Sequence, residues 1–248
     1  MGLLPISVPL QVRILRALAE PVPLPMATVY DGKSKIATLL GKDLLSFVKD
    51  KIVIDFGCGY GWETIELAKA GAKRVIGLEI NPDCLVAATE NAREAGEAET
   101  CQFCERTDEL ADVVISLDCF EHYEDPGAIL ASIRGLLKPG GALLTSWGPP
   151  WYHPRGMHLN ELPPWTHIFF AEEAVLRWRQ LMRGGAATAY SEVGLNQMTV
   201  SRFEKLAALS GLRIESLKAV PIRPLRLIHN RWTREFTTSI VQCKLIKV

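Results

Sequence analysis

Residues 53–64 read Val53-Ile54-Asp55-Phe56-Gly57-Cys58-Gly59-Tyr60-Gly61-Trp62-Glu63-Thr64, and this stretch decides the fold class. The β-branched apolar run before Gly57 predicts a buried strand. The residues from Trp62 onward predict a helix that ends before Gly71. Three glycines between the two elements let the backbone turn where a side chain would not fit. A strand, a glycine turn and a helix in this order indicate the start of an α/β unit.

The same alternation of short apolar runs and helical segments continues along the chain. Further helices are predicted after the capping residue Asn81, after Asp125, over about residues 171–182, and from a capping box formed by Ser201 and Glu204. Further strands are predicted at residues 74–80, 100–104, 112–118, 142–147, 212–220 and 236–247. This rhythm is typical of a parallel sheet with crossover helices.

The composition excludes several classes of function. Lys plus Arg and Asp plus Glu each number 28 in the 248 residues, so we expect no nucleic-acid partner. There is no uninterrupted run of about 18 apolar residues, so we expect no membrane partner. Six scattered cysteines indicate reduced thiols and a cytoplasmic location. Cys101 and Cys104 form a lone C-x-x-C pair without further ligands nearby, so we expect no metal site.

The glycine loop and a later acid predict a nucleoside site. Glu79 follows Asp55 by 24 residues, at the end of the second strand, where its two oxygens could accept from both hydroxyls of a ribose. The Gly57-x-Gly59-x-Gly61 spacing is one residue tighter than the G-x-G-x-x-G of nicotinamide sites. A carboxylate at Asp55 would repel a pyrophosphate, but it suits a ligand with a cationic sulfonium and an α-amino group.

These residues resemble the first motif of the class I (Rossmann-like) S-adenosylmethionine-dependent methyltransferases, and Glu79 matches that family's ribose-binding acid. Residues 116–122, Ser-Leu-Asp-Cys-Phe-Glu-His, are similar to its fourth-strand motif, and residues 136–141, Leu-Leu-Lys-Pro-Gly-Gly, to the turn before its fifth strand. The resemblance implies a doubly wound α/β fold whose seven-stranded sheet is mostly parallel, with the last strand antiparallel and helices on both faces. It also implies S-adenosyl-L-methionine as the cofactor, held by Asp55, Gly57, Cys58, Gly59, Gly61, Glu79, Ile80 and Asp118.

One segment departs from the family pattern. Residues 104–111, between strands three and four, are fewer than most members have, and this segment normally supplies the acid that binds the adenine amino group. Glu105 and Asp108 are both candidates for that acid.

The resemblance also implies an acceptor pocket after strand five. Residues from about 148 to 200 interrupt the α/β rhythm with prolines, aromatic residues and three of the five histidines. His158 and His167 are flanked by apolar residues that could exclude water, so we name them as candidate bases, with His122 and His153 as weaker ones. Positioning without a base is the alternative. Arginines between Arg223 and Arg234 could bind an anionic acceptor or form a solvated face.

We therefore expect an enzyme that transfers a methyl group to a small-molecule acceptor. Residues 1–50 are expected to form a helical or extended segment that covers the donor site, and residues 51–248 the methyltransferase domain with its acceptor-pocket insert. A nicotinamide-dependent oxidoreductase and a non-catalytic donor-binding subunit of a partner enzyme remain as alternatives. The oligomeric state is left open.

Overall fold

A computed structural model describes residues 2–20, 32–41 and 43–248. The strands are β1 (Ile52–Phe56), β2 (Arg74–Leu78), β3 (Cys101–Cys104), β4 (Ala111–Leu117), β5 (Leu137–Trp147), β6 (Leu212–Pro221) and β7 (Thr238–Lys247). The helices are α1 (Val8–Leu18), α2 (Lys35–Leu39), α3 (Asp43–Phe47), α4 (Trp62–Lys69), α5 (Pro82–Glu94), α6 (Pro126–Leu136), α7 (Thr166–Phe169), α8 (Glu172–Arg183), α9 (Val200–Leu209) and α10 (Arg234–Thr237).

The seven strands form one sheet in the order β3-β2-β1-β4-β5-β7-β6. Strands β1 to β5 pair in parallel, whereas β7 is antiparallel to both β5 and β6. The predicted fold class is therefore confirmed, including the antiparallel last strand. Because β1 and β2 are parallel neighbours, the loops that follow them open at the same edge of the sheet.

Two hydrophobic clusters hold helices against opposite faces of this sheet. On one face, Phe203 of α9 and Ile133 of α6 pack with strand residues such as Ile54. On the other, Leu67 of α4 and Ile36 of α2 pack with strand residues such as Val53. Successive residues of β1 thus point into different clusters, which is the period-two pattern of a strand buried on both sides.

A third cluster lies apart from the sheet and joins the N-terminal helix to the segment between β5 and α9. Leu15 of α1 packs with Val175 and Trp178 of α8, and with Met157 and Leu162 from the irregular chain before it. The predicted helix near residues 171–182 is therefore present as α8. Parts of the predicted N-terminal segment, residues 1, 21–31 and 42, lie outside the described residues, so its role as a cover for the donor site stays a prediction.

Three local expectations differ from the structure. The cap of α9 is Thr199, whose hydroxyl accepts from the amide of Arg202, so the capping box predicted from Ser201 is wrong; the Ser201 hydroxyl bonds to Glu235 instead. Strand β5 begins at Leu137, before the predicted turn, because Leu137 already pairs with Ala111. Strand β7 begins at Thr238, since the preceding residues form α10.

Candidate active site

The glycine loop after β1 is tied to the end of β2. The amides of Gly57 and Cys58 both donate to the carbonyl of Leu78, at 2.9 and 3.0 Å. Gly57, Gly59 and Gly61 have φ values of +84°, +52° and +78°, a region that residues with a side chain rarely adopt. The sequence therefore needs glycine at all three positions to make this turn.

The three glycines differ in what surrounds them. A Cβ on Gly57 would lie 2.9 Å from the sulfur of Cys119, and one on Gly61 would lie 2.7 Å from the ring of Phe103. A Cβ on Gly59 would meet no protein atom within 4 Å. Gly57 and Gly61 are thus required by protein packing, whereas Gly59 faces open space. Cys58, also named from the sequence, is buried against Gly77 of β2.

Glu79 is held by the backbone on two sides. One carboxylate oxygen, Oε2, accepts from the amide of Gly59 at 3.0 Å, and Oε1 accepts from the amides of Ile80 and Asn81 at 2.8 and 3.0 Å. A carboxylate has about four acceptor positions, so three amides leave room for about one further donor. The carboxylate is therefore fixed beside the glycine loop with limited acceptor capacity to spare.

Asp55 lies below this loop and is almost completely buried. Its Oδ2 accepts from the hydroxyl of Thr64 at 2.7 Å. Burial and, next, the negative charge of Glu63 raise the pKa of Asp55 to about 7. A cation bound near this carboxyl would favour its ionised form.

One cavity of about 870 Å³ opens beside these residues at the carboxyl ends of the strands. Gly57, Glu79, Ile80 and Asp118 line it, as do both candidate adenine acids, Glu105 and Asp108. The cavity continues to Cys119, His122 and Tyr123 after β4. It thus joins several of the residues named for the donor to the loop that follows the fourth strand.

Asp118 marks the start of that loop and has an unusual backbone conformation, with φ +53°. Its carboxylate lies 3.2 Å from the ammonium of Lys35, at the start of α2. This contact connects the N-terminal segment to the cavity wall. Sequence reasoning did not single out Lys35, because neither its neighbours nor its spacing distinguish it from a solvated lysine.

Glu121 is a second buried acid that sequence reasoning quoted within a motif but did not assign. Its Oε1 accepts from the amide of Gly148 at 3.1 Å, while its buried Oε2 has no hydrogen-bond partner among the described residues. Burial raises the pKa of Glu121 to about 8. Its side chain thus links the loop after β4 to the end of β5.

The segment after β5 fixes the position of His122. The carbonyl of Gly194 lies 2.7 Å from Nδ1 of His122, and a carbonyl oxygen can only accept. Nδ1 must therefore carry a hydrogen, which leaves Nε2 as the unprotonated nitrogen of the neutral ring. Asn196 secures the same loop, because its side-chain amide donates to the carbonyls of Phe120 and Tyr123.

The two histidines named as candidate bases, His158 and His167, do not line this cavity. The ring of His158 is 5.4 Å from that of His122, at an angle of 76°, and its Nε2 is buried with no partner among the described residues. Burial, and next the charge of His122, lower the pKa of His158 to about 4. His167 lines a separate cavity of about 250 Å³ and bonds through Nε2 to the carbonyl of Trp151. Of the two, only His158 contacts a residue that lines the first cavity, namely His122. The catalytic role of either residue stays a prediction.

Within residues 2–20, 32–41 and 43–248, no group of three or more His, Cys, Asp or Glu side chains is arranged to hold a metal ion. No helix there has the length and apolar character needed to span a bilayer.

The chain is similar to known methyltransferases. The family described as "Methyltransferase domain" matches residues 54–145. The ribosomal protein L11 methyltransferase of Vibrio vulnificus (strain YJ016) is 39% identical over 100 residues, which are 39% of this chain and 33% of the relative. The ubiquinone biosynthesis O-methyltransferase of Methylococcus capsulatus is 34% identical over 99 residues, which are 38% of this chain and 41% of the relative. The matched part thus spans about a third of the length of the L11 relative.

The fold also matches that of a solved methyltransferase. The crystal structure of an S-adenosylmethionine-dependent methyltransferase from Mesorhizobium loti superimposes with a TM-score of 0.54 at 17% identity, covering 82% of this chain and 96% of the other. The residues that match the family, 54–145, contain the end of β1, the glycine loop, Glu79 and the loop after β4, which is where the cavity lies. Residues 54–145 are therefore similar to a methyltransferase domain, and the fold is that of the class I (Rossmann-like) S-adenosylmethionine-dependent methyltransferases.

Proposed function

We propose that the protein transfers a methyl group from S-adenosylmethionine to a small-molecule acceptor. The observation that carries this proposal is the continuous cavity that runs from Gly57 and Glu79 to His122. Its volume of about 870 Å³ falls within the range of about 300–1,000 Å³ typical of pockets for small ligands. A donor and a small acceptor could therefore meet inside one site.

The residues present fit S-adenosylmethionine. Glu79 would take a ribose hydroxyl, Glu105 or Asp108 would take the adenine amino group, and the buried carboxyl of Asp55 would favour a cationic ligand once ionised. The open space at Gly59 would admit the ligand close to the backbone. When bound, S-adenosylmethionine supplies an electrophilic methyl group on a sulfonium. Because three amides already hold Glu79, one of them would have to release the carboxylate before both ribose hydroxyls could bind.

We infer that His122 is the base for an acceptor that must lose a proton. Its ring lines the cavity, and the Gly194 carbonyl holds the hydrogen on Nδ1, so that Nε2 can accept a proton. His158 lies beside it, and burial and next the charge of His122 lower the pKa of His158 to about 4, so His158 would stay neutral when His122 takes a proton. His167 faces the other cavity and is a weaker candidate on these grounds.

The names of the two relatives point to different acceptors, a ribosomal protein for one and a quinone precursor for the other. The segment between β5 and α9 favours a small acceptor, since Gly194 and Asn196 bring it against the rim at His122. A chain segment packed at that rim restricts the space available to a folded protein substrate.

Donor binding tests the first step. Titration calorimetry with S-adenosylmethionine and S-adenosylhomocysteine should show binding, with no binding of nicotinamide dinucleotides. Charge-assisted hydrogen bonds contribute about 1.5–3 kcal/mol each, so Glu79→Ala should weaken donor binding by roughly tenfold to 150-fold. Glu94→Ala, at an exposed position on α5, is the matched control. Unchanged affinity in Glu79→Ala would remove Glu79 from the site.

Transfer tests the second step. Radiolabelled methyl donor, incubated with the protein and a cell extract, should label molecules that pass a size filter. In His122→Asn, labelling should fall by about 10²–10⁴-fold while donor affinity is retained, and His167→Asn should have no such effect. Label on protein would contradict the small-molecule acceptor, whereas donor binding without any label would favour a non-catalytic donor-binding subunit.

A further inference from the structure

The connection between β6 and β7, residues 222–236, exposes large apolar side chains. Leu227 is 93% exposed, Trp232 78% and Ile228 55%. Scattered apolar residues are normal on a protein surface, but three within six residues form a local patch. This patch, Leu227, Ile228 and Trp232, is called the apolar tip below.

The backbone of the connection places cations beside the apolar tip. Residues Arg223–Ile228 form a 3₁₀ helix, in which side chains three residues apart lie above one another. Arg223 and Arg226 therefore form one exposed ridge, and Pro224 and Leu227 form the ridge next to it. The guanidinium of Arg231 lies 4.4 Å from the ring centre of Trp232. Cationic and apolar groups thus share one surface.

Polar side chains of the connection are used to hold its shape. The Asn230 side chain accepts from the amide of Trp232 at 2.9 Å, and the hydroxyl of Thr233 accepts from the amide of Asn230 at 3.0 Å. Nδ1 of His229 contacts the hydroxyl of Thr237 at 2.7 Å. Hydrogen bonds within the connection therefore hold its backbone in the shape that exposes the apolar side chains.

The arginines of the connection outnumber its acids. Residues 222–236 contain four arginines and one acid, Glu235, whose carboxylate accepts from the amides of Val200 and Ser201. Arg234 is bound by Glu204, but no carboxylate of the described ranges forms a salt bridge with Arg223, Arg226 or Arg231. Three cations therefore surround the apolar tip on a protein whose formal net charge is zero.

We propose that the 222–236 connection docks on the surface of an anionic lipid bilayer. Aliphatic and tryptophan side chains enter the boundary between headgroups and acyl chains, while arginines attract anionic headgroups. Nucleic acid would match the arginines but would leave Leu227 and Ile228 without an apolar environment. This surface binding would revise the expectation of no membrane partner, because it needs no membrane-spanning helix, and it does not depend on the proposed catalytic function.

The position of the connection gives docking a defined orientation. Pro221 pairs with Thr238, and Val241 of β7 pairs with Trp147 at the end of β5, so the connection lies at the edge where the parallel strands end. The ring of Phe236 packs 5.2 Å from that of Tyr152, in the segment after β5. Docking would thus turn the cavity-bearing edge of the sheet toward the bilayer.

Vesicle flotation with the full chain tests this proposal. The protein should float with vesicles of phosphatidylcholine plus phosphatidylglycerol at low salt, and not with phosphatidylcholine alone. Each arginine near an anionic surface adds to the free energy of binding. The partition coefficient of Arg223→Gln/Arg226→Gln should therefore be about thirtyfold lower than that of the wild type. The partition coefficient of Leu227→Glu should be at least about tenfold lower than that of the wild type. Arg13→Gln/Arg16→Gln on α1 removes the same charge elsewhere and is the matched control.

Leu209→Glu is the control for Leu227→Glu. Leu209 is 84% exposed at the end of α9, which leads into the start of β6 at the opposite edge of the sheet. Absence of flotation in the wild type would overturn the proposal, and so would equal flotation of wild type and both tip variants. A loss of flotation in the control variants equal to that in the tip variants would also overturn the proposal. A dimer that forms without lipid and is lost in Leu227→Glu, with no flotation, would assign the surface to a second copy of the chain.

Discussion

Gly59 and Gly61 share a left-handed backbone but are constrained by different things. At Gly61 the ring of Phe103 occupies the position of a side chain, whereas at Gly59 that position is empty. Sequence spacing treats these two glycines as equivalent members of one motif. In the structure, the packing of the protein itself requires glycine at position 61, whereas the missing side chain of Gly59 leaves open space.

This difference predicts opposite phenotypes for two variants. Gly59→Val should abolish donor binding while the far-UV circular dichroism spectrum stays near native, because a Cβ at this position would meet no protein atom within 4 Å and a strained loop need not unfold the sheet. Gly61→Ala should instead lower the free energy of unfolding by about 2–4 kcal/mol, through a strained backbone and a clash with Phe103. Calorimetry and urea denaturation measure the two effects. If Gly59→Val still binds the donor, the loop turns for structural reasons alone.

Among single residues, the sequence predicts those whose role follows from local chemistry. Glu79 could be named because a carboxylate at the end of the second strand has few structural uses. Glu121 could not be assigned, because its burial depends on Gly148 and the end of β5, which are distant in the sequence. His122 was ranked below His158 and His167 for the same reason, since its contact with Gly194 spans 72 residues.

At the scale of elements, α1 and α8 form a unit with its own core. Leu15 is fully buried in the third cluster, in contact with elements that lie between β5 and α9. No residue of the glycine loop belongs to this cluster. The unit can therefore be weakened without a direct change to the predicted donor residues.

We expect Leu15→Ala to lower the free energy of unfolding by about 2–5 kcal/mol, because it leaves a cavity among packed side chains. The calorimetric affinity for S-adenosylmethionine should stay the same at a temperature where the variant is folded. Leu18→Ala, at an exposed position on the same helix, should change stability by less than about 0.5 kcal/mol. A marked loss of donor affinity in Leu15→Ala would mean that α1 supports the donor site, as a cover would.

The existence and type of the longer elements could be predicted, but their ends only where local residues set them. The helix after Asn81 begins as predicted, because Asn81 and Pro82 both act locally. The start of α9 was misplaced, since Thr199 and Ser201 are equally good caps in sequence and only the contact with Glu235 distinguishes them. The early start of β5 depends on its pairing with Ala111, which no local pattern reveals.

At the scale of the whole molecule, Asp55 links stability to pH. Its carboxyl titrates near its ordinary value of 3.8 in the unfolded chain, while burial raises the pKa to about 7 in the folded protein. Between these values the folded protein retains a proton that the unfolded chain has lost. This group therefore makes the protein less stable as pH rises from about 4 to about 7.

Asp55→Asn removes this titration and keeps an oxygen for the Thr64 hydroxyl. The variant should gain stability relative to the wild type as pH rises, by a few kcal/mol between pH 5 and pH 8. Urea denaturation at several pH values measures the difference. Glu121, with a raised pKa, and His153 and His158, with lowered ones, also titrate, but they are common to both proteins. Asp83→Asn, at an exposed position, is the control, and an equal pH dependence in Asp55→Asn and wild type would contradict the prediction.

The sheet as a whole could be predicted only in part. Alternating elements indicate parallel strands, because crossover helices require them. Nothing in the last two apolar runs indicates that β7 lies between β5 and β6. The family resemblance implies that the last strand is antiparallel, and the structure adds its place in the sheet. The order of strands is set by long-range pairing, to which local propensity contributes little.

The position of β7 also determines the order in which the domain can be completed during translation. A ribosome releases β6 before β7, yet β6 pairs with β7 and not with the earlier β5. Until residues 238–247 have left the exit tunnel, the outer edge of β5 exposes unpaired amides and carbonyls, which can recruit strands of other nascent chains. A chain stalled after α9 would thus hold its glycine loop and Glu79 in a sheet with an open edge at β5. Strand β7 follows β6 in the chain, yet it is the strand that joins β6 to the rest of the sheet.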